Sequence, residues 1–592
     1  MNNAFAIDKS VKNTLIVQLV LPIALLVLGI YFGLIQTLFR AGIIQADSFL
    51  GFGYYQGLTL HGVVNAIVLT TFFAVAFGNA LVQYHLKKKL IGWVNIVSFV
   101  LMVVGTLMAA YAMLSGQASV LYTFYAPLKA HPLFYLGLAL AVVGSWVAFW
   151  GWIPLYLQWR RENPGEKVPL AVYGLFVTFI MWNVCSLSVA TEILVFLLPW
   201  SLGWTATVPV ELTRTLFWLF GHALVYFWLL PTYIFYYTIL PKVAGGKLYS
   251  DRAGRLVFTI FLILSIPIGV HHQFSEPAIG RGIKLIQAVM TMGVAIPSFL
   301  TAFTIAASLE YAARKRGGNG LFGWMTKLPY FDKENYLFGY GIAGLLIFLL
   351  GGITGIVNAS YNVNAAVHNT AWVPGHFHLT VGGPVFLAIL GVSLYMVSKI
   401  MGKKVQLPGW NVLVPYLWLG GLFVFSLGLR SGGLLNGEPR RTNLGLSYLN
   451  ADGGMFEPFW LFSVLTAVMG AVVMTVSMLM YFAVFFKTVF AKKEEESGTV
   501  EFPTAEAYHD EPVGPFSRLA PYTVLMIIII AFSYYTPIKN SIENTSDEGS
   551  PTFSPASPTP LSTYPAGEED DAATAGDTER VDDEALTRSD ER

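Results

Sequence analysis

Long apolar segments alternate with short polar ones along most of this 592-residue chain. A membrane-spanning helix needs about 20 mainly apolar residues. Segments of that length cover approximately residues 14–38, 58–83, 91–114, 133–157, 171–199, 213–240, 256–274, 283–308, 337–358, 373–400, 410–430, 456–490 and 518–536. The pattern therefore predicts an all-α, polytopic membrane protein with about 13 transmembrane helices, in one domain over residues 1–536.

Composition agrees with this pattern and separates a different C-terminal segment. The chain is 55% hydrophobic and 12% charged, whereas a soluble domain has roughly 25% charged residues. Residues 537–592 are rich in Pro, Ser, Thr and acidic residues, and residues 541–592 hold 14 acidic side chains against 3 arginines. Such a segment has too little apolar surface to offset the entropy of ordering. We expect a disordered acidic tail, and membrane lipid rather than nucleic acid around the body.

The basic residues predict the orientation of the helices. Lysine and arginine clusters such as Lys87–Lys89, Arg160-Arg161 and Arg314–Arg316 fall in alternate loops, and loops with such an excess are usually cytoplasmic. The N-terminus is thus expected inside and the C-terminus outside. Arg430, Arg440 and Arg441 lie in an external loop against this rule, which suggests that they have an anionic partner.

Six histidines are the main candidates for chemistry. Ionisable side chains inside membrane spans are costly and usually functional. A single buried histidine is more often a hydrogen-bonded core residue, but six that lie at a comparable depth in the outer half of the membrane are not explained in that way. They are His61, His222, His271, His272, His376 and His378. Convergent imidazoles predict a scaffold for metal ions and haem.

The spacing of these histidines assigns them to faces. His376 and His378 are two residues apart and point about 200° apart on a helix, so that one helix can serve two cofactors. His271 and His272 are close enough to share a metal, and Pro267 loosens the helix before them. His222 and Tyr226, four residues apart, share a face. Imidazoles without thiolates or carboxylates favour copper or iron.

Several ordered motifs carry a resemblance to a known family. They are Leu60-His61-Gly62, Tyr122-Thr-Phe-Tyr125 with Pro127-Leu-Lys129, Trp218-Leu-Phe-Gly-His222, Tyr226-Phe-Trp-Leu-Leu-Pro231, His271-His-Gln-Phe274 and His368-Asn-Thr-Ala-Trp-Val-Pro-Gly-His376-Phe-His378. With them, the chain resembles subunit I of a haem–copper oxygen reductase, specifically the B-type, cytochrome ba(3)-like branch. The resemblance extends over nearly all of residues 14–536.

The resemblance implies a role for each metal-binding candidate. His61 and His378 would be the axial ligands of a low-spin haem b, and His376 would hold a high-spin haem of a3 or similar type. His222, His271 and His272 would hold the copper ion CuB. Tyr226 would be covalently linked to His222 and would supply an electron and a proton. The implied enzyme is a cytochrome-c oxidase in a prokaryotic plasma membrane, which reduces O2 to water and couples this to proton uptake and pumping.

Two further groups of residues are expected to serve these cofactors. Arginine forks bind carboxylates such as haem propionates, which is the role expected of Arg440 and Arg441, with His368 as a further contact. A column of hydroxyl groups would carry protons from the cytoplasm to the metal site in the outer half of the membrane. Its members are Tyr233, Tyr237, Ser250, Ser298, Thr301 and Thr304. Serine and threonine in membrane helices also often only bond the backbone, and that alternative remains open.

Departures from the family pattern limit the expectations. Leu224 stands where the A-type branch has a glutamate at the head of a second proton channel, so that channel is not expected. Asn364 stands where close B-type relatives have an aspartate, which puts a proton-loading role there in doubt. Glu192, inside a predicted span, has no assigned role.

The sequence leaves two alternative functions and requires partners. A nitric oxide reductase uses the same scaffold, but Tyr226 favours oxygen. A secondary transporter would show inverted repeats and broken helices, and no repeat is visible. A dinuclear CuA centre needs two cysteines, whereas the chain has one, Cys185. We therefore expect a subunit II that carries CuA and receives electrons from cytochrome c or a blue copper protein.

Overall fold

The computed structural model describes residues 4–44, 51–276, 279–440, 458–494, 497–509, 511–512 and 514–543. Within these residues, twelve helices are long and apolar enough to cross a membrane: α1 (Lys9–Arg40), α2 (Tyr54–Leu86), α3 (Gly92–Leu114), α4 (Pro132–Glu162), α5 (Leu170–Ser201), α6 (Val210–Val243), α8 (Arg281–Arg314), α9 (Leu337–Ala359), α11 (Trp372–Met401), α12 (Pro408–Asn436), α13 (Phe459–Phe490) and α14 (Ala520–Glu543). Two shorter helices complete the order: α7 (Asp251–Leu264) and α10 (Tyr361–Val367). The all-α membrane bundle predicted from the sequence is confirmed.

The seventh of the thirteen predicted spans, residues 256–274, is not one continuous helix. Helix α7 has 14 residues and ends at Leu264, three residues before Pro267, because proline and the residue before it disfavour the helical conformation. A 3-10 turn, Gly269–Gln273, completes the segment and carries His271 and His272. The interruption releases both histidines from α-helical geometry.

Four of the long helices contain a π-helical turn. These turns are Val63–Val68, Glu192–Leu197, Phe235–Ile239 and Val381–Val385. Such turns are frequent at functional sites because they shift the register of the side chains that follow. Here the first begins two residues after His61, the third contains Tyr237, and the fourth begins three residues after His378.

Short strands outside the helices tie together one face of the bundle. Strand β1 (Phe5–Ala6) pairs antiparallel with β3 (Thr499–Val500), and β2 (Leu248–Ser250) pairs parallel with β4 (Ala507–His509). Ion pairs link the same loops, including Lys89 Nζ to Asp8 Oδ1 at 2.7 Å. The loops expected to be cytoplasmic therefore share one face, while the identity of that face remains a prediction.

Helix α14 extends to Glu543. The rest of the acidic tail, residues 544–592, lies outside the described residues.

Candidate metal centre and cofactor cavity

Three histidines meet at the point where α7 is interrupted. His222 comes from α6 and His271 and His272 from the 3-10 turn, and one ligand atom from each lies within 4.8 Å of the others. His222 Nδ1 and His272 Nε2 are 3.0 Å apart. Two imidazole nitrogens at this distance share either a proton or a metal ion. The set of three buried or half-buried nitrogens, without a carboxylate, suits copper.

Neighbouring groups fix the orientation of two of these rings. His272 stacks on Trp218, with ring centroids 3.9 Å apart and planes at 12°. His271 Nδ1 lies 3.0 Å from the Thr291 hydroxyl, which itself donates to the carbonyl of Gln287 at 2.6 Å. Because that hydroxyl has one proton, it must accept from His271 Nδ1–H, and His271 Nε2 is left as the metal ligand. Neither Trp218 nor Thr291 was assigned such a role from the sequence.

A large, mostly apolar cavity lies between α1, α2, α11 and α12, and both His61 and His378 line it. Their rings are nearly parallel, at 21°, with centroids 6.2 Å apart. Two imidazoles on opposite sides of one metal, each with a metal–nitrogen bond of about 2 Å, have centroids roughly 6 Å apart. His61 Nδ1 contacts the carbonyl of Gly29, and His378 Nδ1 that of Pro374, each at 2.7 Å. Both Nδ1 atoms therefore carry the proton, and both Nε2 atoms are available to iron. The residues present fit a bis-histidine haem.

His376 faces the other side of α11. Its Nδ1 lies 2.8 Å from the hydroxyl of Thr354 on α9, and this hydroxyl donates to the carbonyl of Gly351 at 2.8 Å. The same argument as for His271 leaves His376 Nε2 free. His378, by contrast, packs on Phe425 of α12. The opposite faces expected from the two-residue spacing are thus present, with α9 beside one histidine and α12 beside the other.

Tyr226 lies one helical turn after His222. The two ring centroids are 4.7 Å apart and the planes make an angle of 67°. His222 Nε2 is buried and has no hydrogen-bond partner among the described residues. The ring of Tyr226 and the imidazole of His222 are therefore close neighbours on one face of α6.

Residues 13–469 match the family described as Cytochrome C and Quinol oxidase polypeptide I. The chain belongs to this family.

Individual relatives agree with that assignment. The chain is 41% identical to "Cytochrome c oxidase subunit 1" of Thermus thermophilus over 84% of this chain and 88% of that protein. It is 25% identical to "Probable quinol oxidase subunit 1" of Staphylococcus haemolyticus over 78% of this chain and 69% of that one. A solved "heme-copper terminal oxidase dimer" superimposes with a TM-score of 0.91 at 50% identity, over 93% of this chain and 96% of that chain. The resemblance to the haem–copper oxygen reductases predicted from the sequence is confirmed.

Among the described residues, one of the arginines expected to have an anionic partner lines the cavity. Arg440 lies in the cavity wall, and its backbone N–H and a guanidinium nitrogen bond Asn369 at 3.0 and 3.3 Å. His368 follows the last residue of α10 and precedes this asparagine in the chain. Arg440 and His368, both expected to contact propionates, are therefore connected through Asn369. Arg441 lies outside the described residues.

One charged pair near Arg440 was not predicted from the sequence. Arg40, the last residue of α1, also lines the cavity, and its Nη2 lies 2.6 Å from Oε1 of Glu438. Burial raises the pKa of the Glu438 carboxyl, and the charge of Arg40 partly opposes this effect. Arg40 lies on the face expected to be external, as Arg440 does, so the same departure from the positive-inside rule could have identified it.

The hydroxyl residues form two direct contacts between α6 and α8. Tyr233 donates to Ser298 Oγ at 3.2 Å, and the Tyr237 and Thr301 hydroxyl oxygens are 3.0 Å apart. Thr304 lies about one turn further along α8, and its hydroxyl bonds the carbonyl of Leu300. Ser250 is the N-cap of α7, where its hydroxyl accepts from the Ala253 N–H at 3.2 Å.

One further hydroxyl, absent from the sequence prediction, continues this column. Ser308 on α8 accepts from the backbone N–H of Tyr249 at 2.9 Å, next to Ser250. The column thus reaches strand β2 on the face where the basic loops meet.

Proposed function

We propose that this protein is the catalytic subunit of a prokaryotic terminal oxidase that reduces O2 to water and couples this reaction to proton uptake and pumping. The observation that carries the proposal is the set of three imidazoles from α6 and the 3-10 turn, in a chain of the cytochrome c and quinol oxidase subunit I family.

The donor atoms suit two haems and one copper ion. His61 and His378 would hold a low-spin haem b, His376 a high-spin haem of a3 or similar type, and His222, His271 and His272 CuB. When bound, these groups supply the electrons and the open coordination position at which O2 is reduced. The hydrogen bonds of Thr291 and Thr354 hold the imidazoles in the tautomer and orientation that binding requires.

Tyr226 is the proposed donor of one electron and one proton to O2. It lies within van der Waals reach of His222, whose Nε2 has no hydrogen-bond partner among the described residues. That nitrogen is available for the covalent link to Tyr226 which the family resemblance implies. A link would hold the phenol next to the metal ligand and lower the rearrangement needed for transfer.

Protons would reach the site through the hydroxyl residues of α6 and α8. Thr301 donates to the carbonyl of Pro297 at 2.8 Å, so its oxygen accepts from Tyr237. Tyr237 and Tyr233 bond different hydroxyl groups on α8, Thr301 and Ser298, and water would connect these two contacts. Ser250 and Thr304 would extend the path toward the cytoplasm.

Electrons would come from a partner subunit. Cys185 is the chain's single cysteine and is buried in α5, which leaves the chain without the thiolate pair of CuA. A subunit II carrying CuA would receive electrons from cytochrome c or a blue copper protein. The chain is a multi-pass membrane protein, and we propose that the face holding β1–β4 is cytoplasmic and that the C-terminus is external. Arg440, Arg441 and His368 would then contact haem propionates near the outer surface.

The purified complex tests this function directly. We expect haem b, a second haem type or spin state, and one copper per chain beyond CuA, together with cyanide-sensitive O2 consumption from reduced cytochrome c. A His222→Ala chain is the matched control, which should retain the low-spin spectrum and lose turnover. Rapid nitric oxide reduction without O2 consumption would contradict the proposal, as would the absence of haem.

A further inference from the structure

A buried ion pair lies at the wall of the cavity that His61 and His378 line, with Arg40 in the wall and its partner Glu438 outside the lining. Arg40 Nη2 donates to Glu438 Oε1 at 2.6 Å and to the carbonyl of Pro439 at 3.0 Å. The side chain of Glu438 is 0% exposed and that of Arg40 is 11% exposed. This pair joins the end of α1 to the segment after α12.

Glu438 is also fixed through its backbone. Its N–H donates to the carbonyl of Gly432 at 3.0 Å, and its own carbonyl accepts from the N–H of Ala371 at 2.7 Å. Ala371 is the residue immediately before α11, the helix with both His376 and His378. The carboxylate is therefore held at a defined position relative to the histidines and has little freedom to move toward solvent.

The hydrogen-bonding positions of this ion pair are not all filled by the described residues. Taking two charges out of water costs several kcal/mol per ion, and their attraction offsets this cost only when their remaining hydrogen-bonding positions are filled. Glu438 Oε2 is buried without a hydrogen-bond partner among the described residues. A close ion pair of this kind is weak evidence for stability, and its place beside a cofactor cavity suggests an electrostatic role instead.

The surrounding charges indicate what that role is. Arg40 and Arg440 both line the cavity, whereas Glu438 lies behind Arg40 and does not. Arg430, on α12, is directed toward Ser426 and the ring of Trp372. A haem held by His61 and His378 would carry two propionates, and arginine forks in the wall of its cavity match such groups in charge and geometry. The negative charge of Glu438 then partly cancels the positive charge that Arg40 presents to the cavity.

We propose that Arg40 binds a propionate of the low-spin haem and that Glu438 is a positioning residue for Arg40, so that the pair sets the redox potential of this haem. The inference rests on the proposed function in one respect, the presence of a haem between His61 and His378. The physical reason is that ferric haem carries one more positive charge than ferrous haem. A nearby positive charge favours the reduced state, and a negative charge favours the oxidised state.

Redox titration of the low-spin haem in the purified complex, followed by its visible absorbance in mildly alkaline buffer, tests the proposal. We expect Glu438→Gln to raise the potential and Arg40→Gln to lower it, each changing the ratio of reduced to oxidised haem at fixed potential about tenfold, or about 59 mV. The double variant should lie near the wild type. Glu162→Gln, which removes the partner of Lys88 on the opposite face, should leave the potential unchanged.

Conservative variants separate charge from structure. Arg40→Lys keeps the charge and should titrate near the wild type, whereas equal shifts in Arg40→Lys and Arg40→Gln would overturn the proposal. Unchanged potentials in both Glu438→Gln and Arg40→Gln, with haem retained, would also overturn it. If Glu438→Gln loses haem, the comparison of the two Arg40 variants decides. A wild-type complex without a low-spin haem would instead refute the proposed function.

Discussion

Removing one hydroxyl from the column between α6 and α8 should slow the enzyme without unfolding it. Tyr237 is fully buried in the π-helical turn of α6, and its hydroxyl contacts Thr301 at 3.0 Å. Tyr237→Phe keeps the ring and its packing against Phe258. The variant therefore tests the hydroxyl group alone.

The loss of stability in Tyr237→Phe should be small, whereas the loss of turnover should be large. One net hydrogen bond contributes about 0.5–1.5 kcal/mol to stability. Thr301 keeps its bond to the carbonyl of Pro297, so no buried donor is left unpaired and the stability loss should be at the low end. A positioned proton-transfer group typically contributes roughly 10²–10⁴-fold to rate. Because water can occupy part of the vacated space, we expect turnover to fall about tenfold or more, which is about 1.4 kcal/mol in barrier.

The neighbouring tyrosine provides a matched control. Tyr236 is in the same helical turn and equally buried, but its hydroxyl has no hydrogen-bond partner among the described residues. Tyr236→Phe should therefore retain wild-type turnover. O2 consumption and proton uptake should be measured with the complex in vesicles, with haem and copper content determined in parallel. Wild-type rates in both Tyr237→Phe and Thr301→Val would show that these hydroxyls only contribute to helix packing.

Three other changes test the cofactor sites. His271→Ala should lower copper occupancy at least about tenfold while the low-spin haem spectrum is retained, as measured by metal analysis and absorbance, and equal loss of both haems would contradict the copper assignment. His61→Ala should remove the six-coordinate haem signal yet leave carbon monoxide binding at the other haem, and a normal low-spin spectrum would refute its pairing with His378. Gly33→Ala would place a Cβ 2.8 Å from His61 Cε1, so we expect strain of about 1–3 kcal/mol and loss of low-spin haem, whereas Gly352→Ala, which meets no atom within 4 Å, should have no effect on the spectrum.

The helical bundle was predictable because apolar length alone identifies a span. The predicted segment 91–114 corresponds to α3 (Gly92–Leu114), for example, since backbone groups in lipid must bond within the helix. The interruption after α7 was less predictable. Pro267 indicated a loosened helix. The 3-10 turn that follows, however, brings Gly269 against the carbonyl of Trp218, where a Cβ would lie 2.2 Å from that oxygen. Such a contact joins residues about 50 apart in sequence.

The residue types of the candidate site and the helix faces that carry them could be predicted from the sequence. The contacts that decide which atoms are available to a metal could not. The two-residue spacing of His376 and His378 placed them on opposite sides of one helix, because helical geometry alone determines that relation. The partner of Arg40 could not be found in this way, since Glu438 is 398 residues away along the chain. Nor does any local pattern indicate that Thr291 on α8 would orient His271.

The choice of nitrogen at each histidine follows from tertiary contacts and explains why the three histidines of the cluster are not equivalent. A hydroxyl or carbonyl acceptor holds the Nδ1 proton of His61, His271, His376 and His378, so each of these rings presents Nε2. His222 differs, because its Nδ1 faces His272 and its Nε2 has no hydrogen-bond partner among the described residues. The ring of His222 thus uses its two nitrogens differently from the other four, and Tyr226 lies one turn along the same helix, with ring centroids 4.7 Å apart. The four-residue spacing thus brings the phenol to His222, and we propose that the nitrogen of His222 without a hydrogen-bond partner is the atom that joins it.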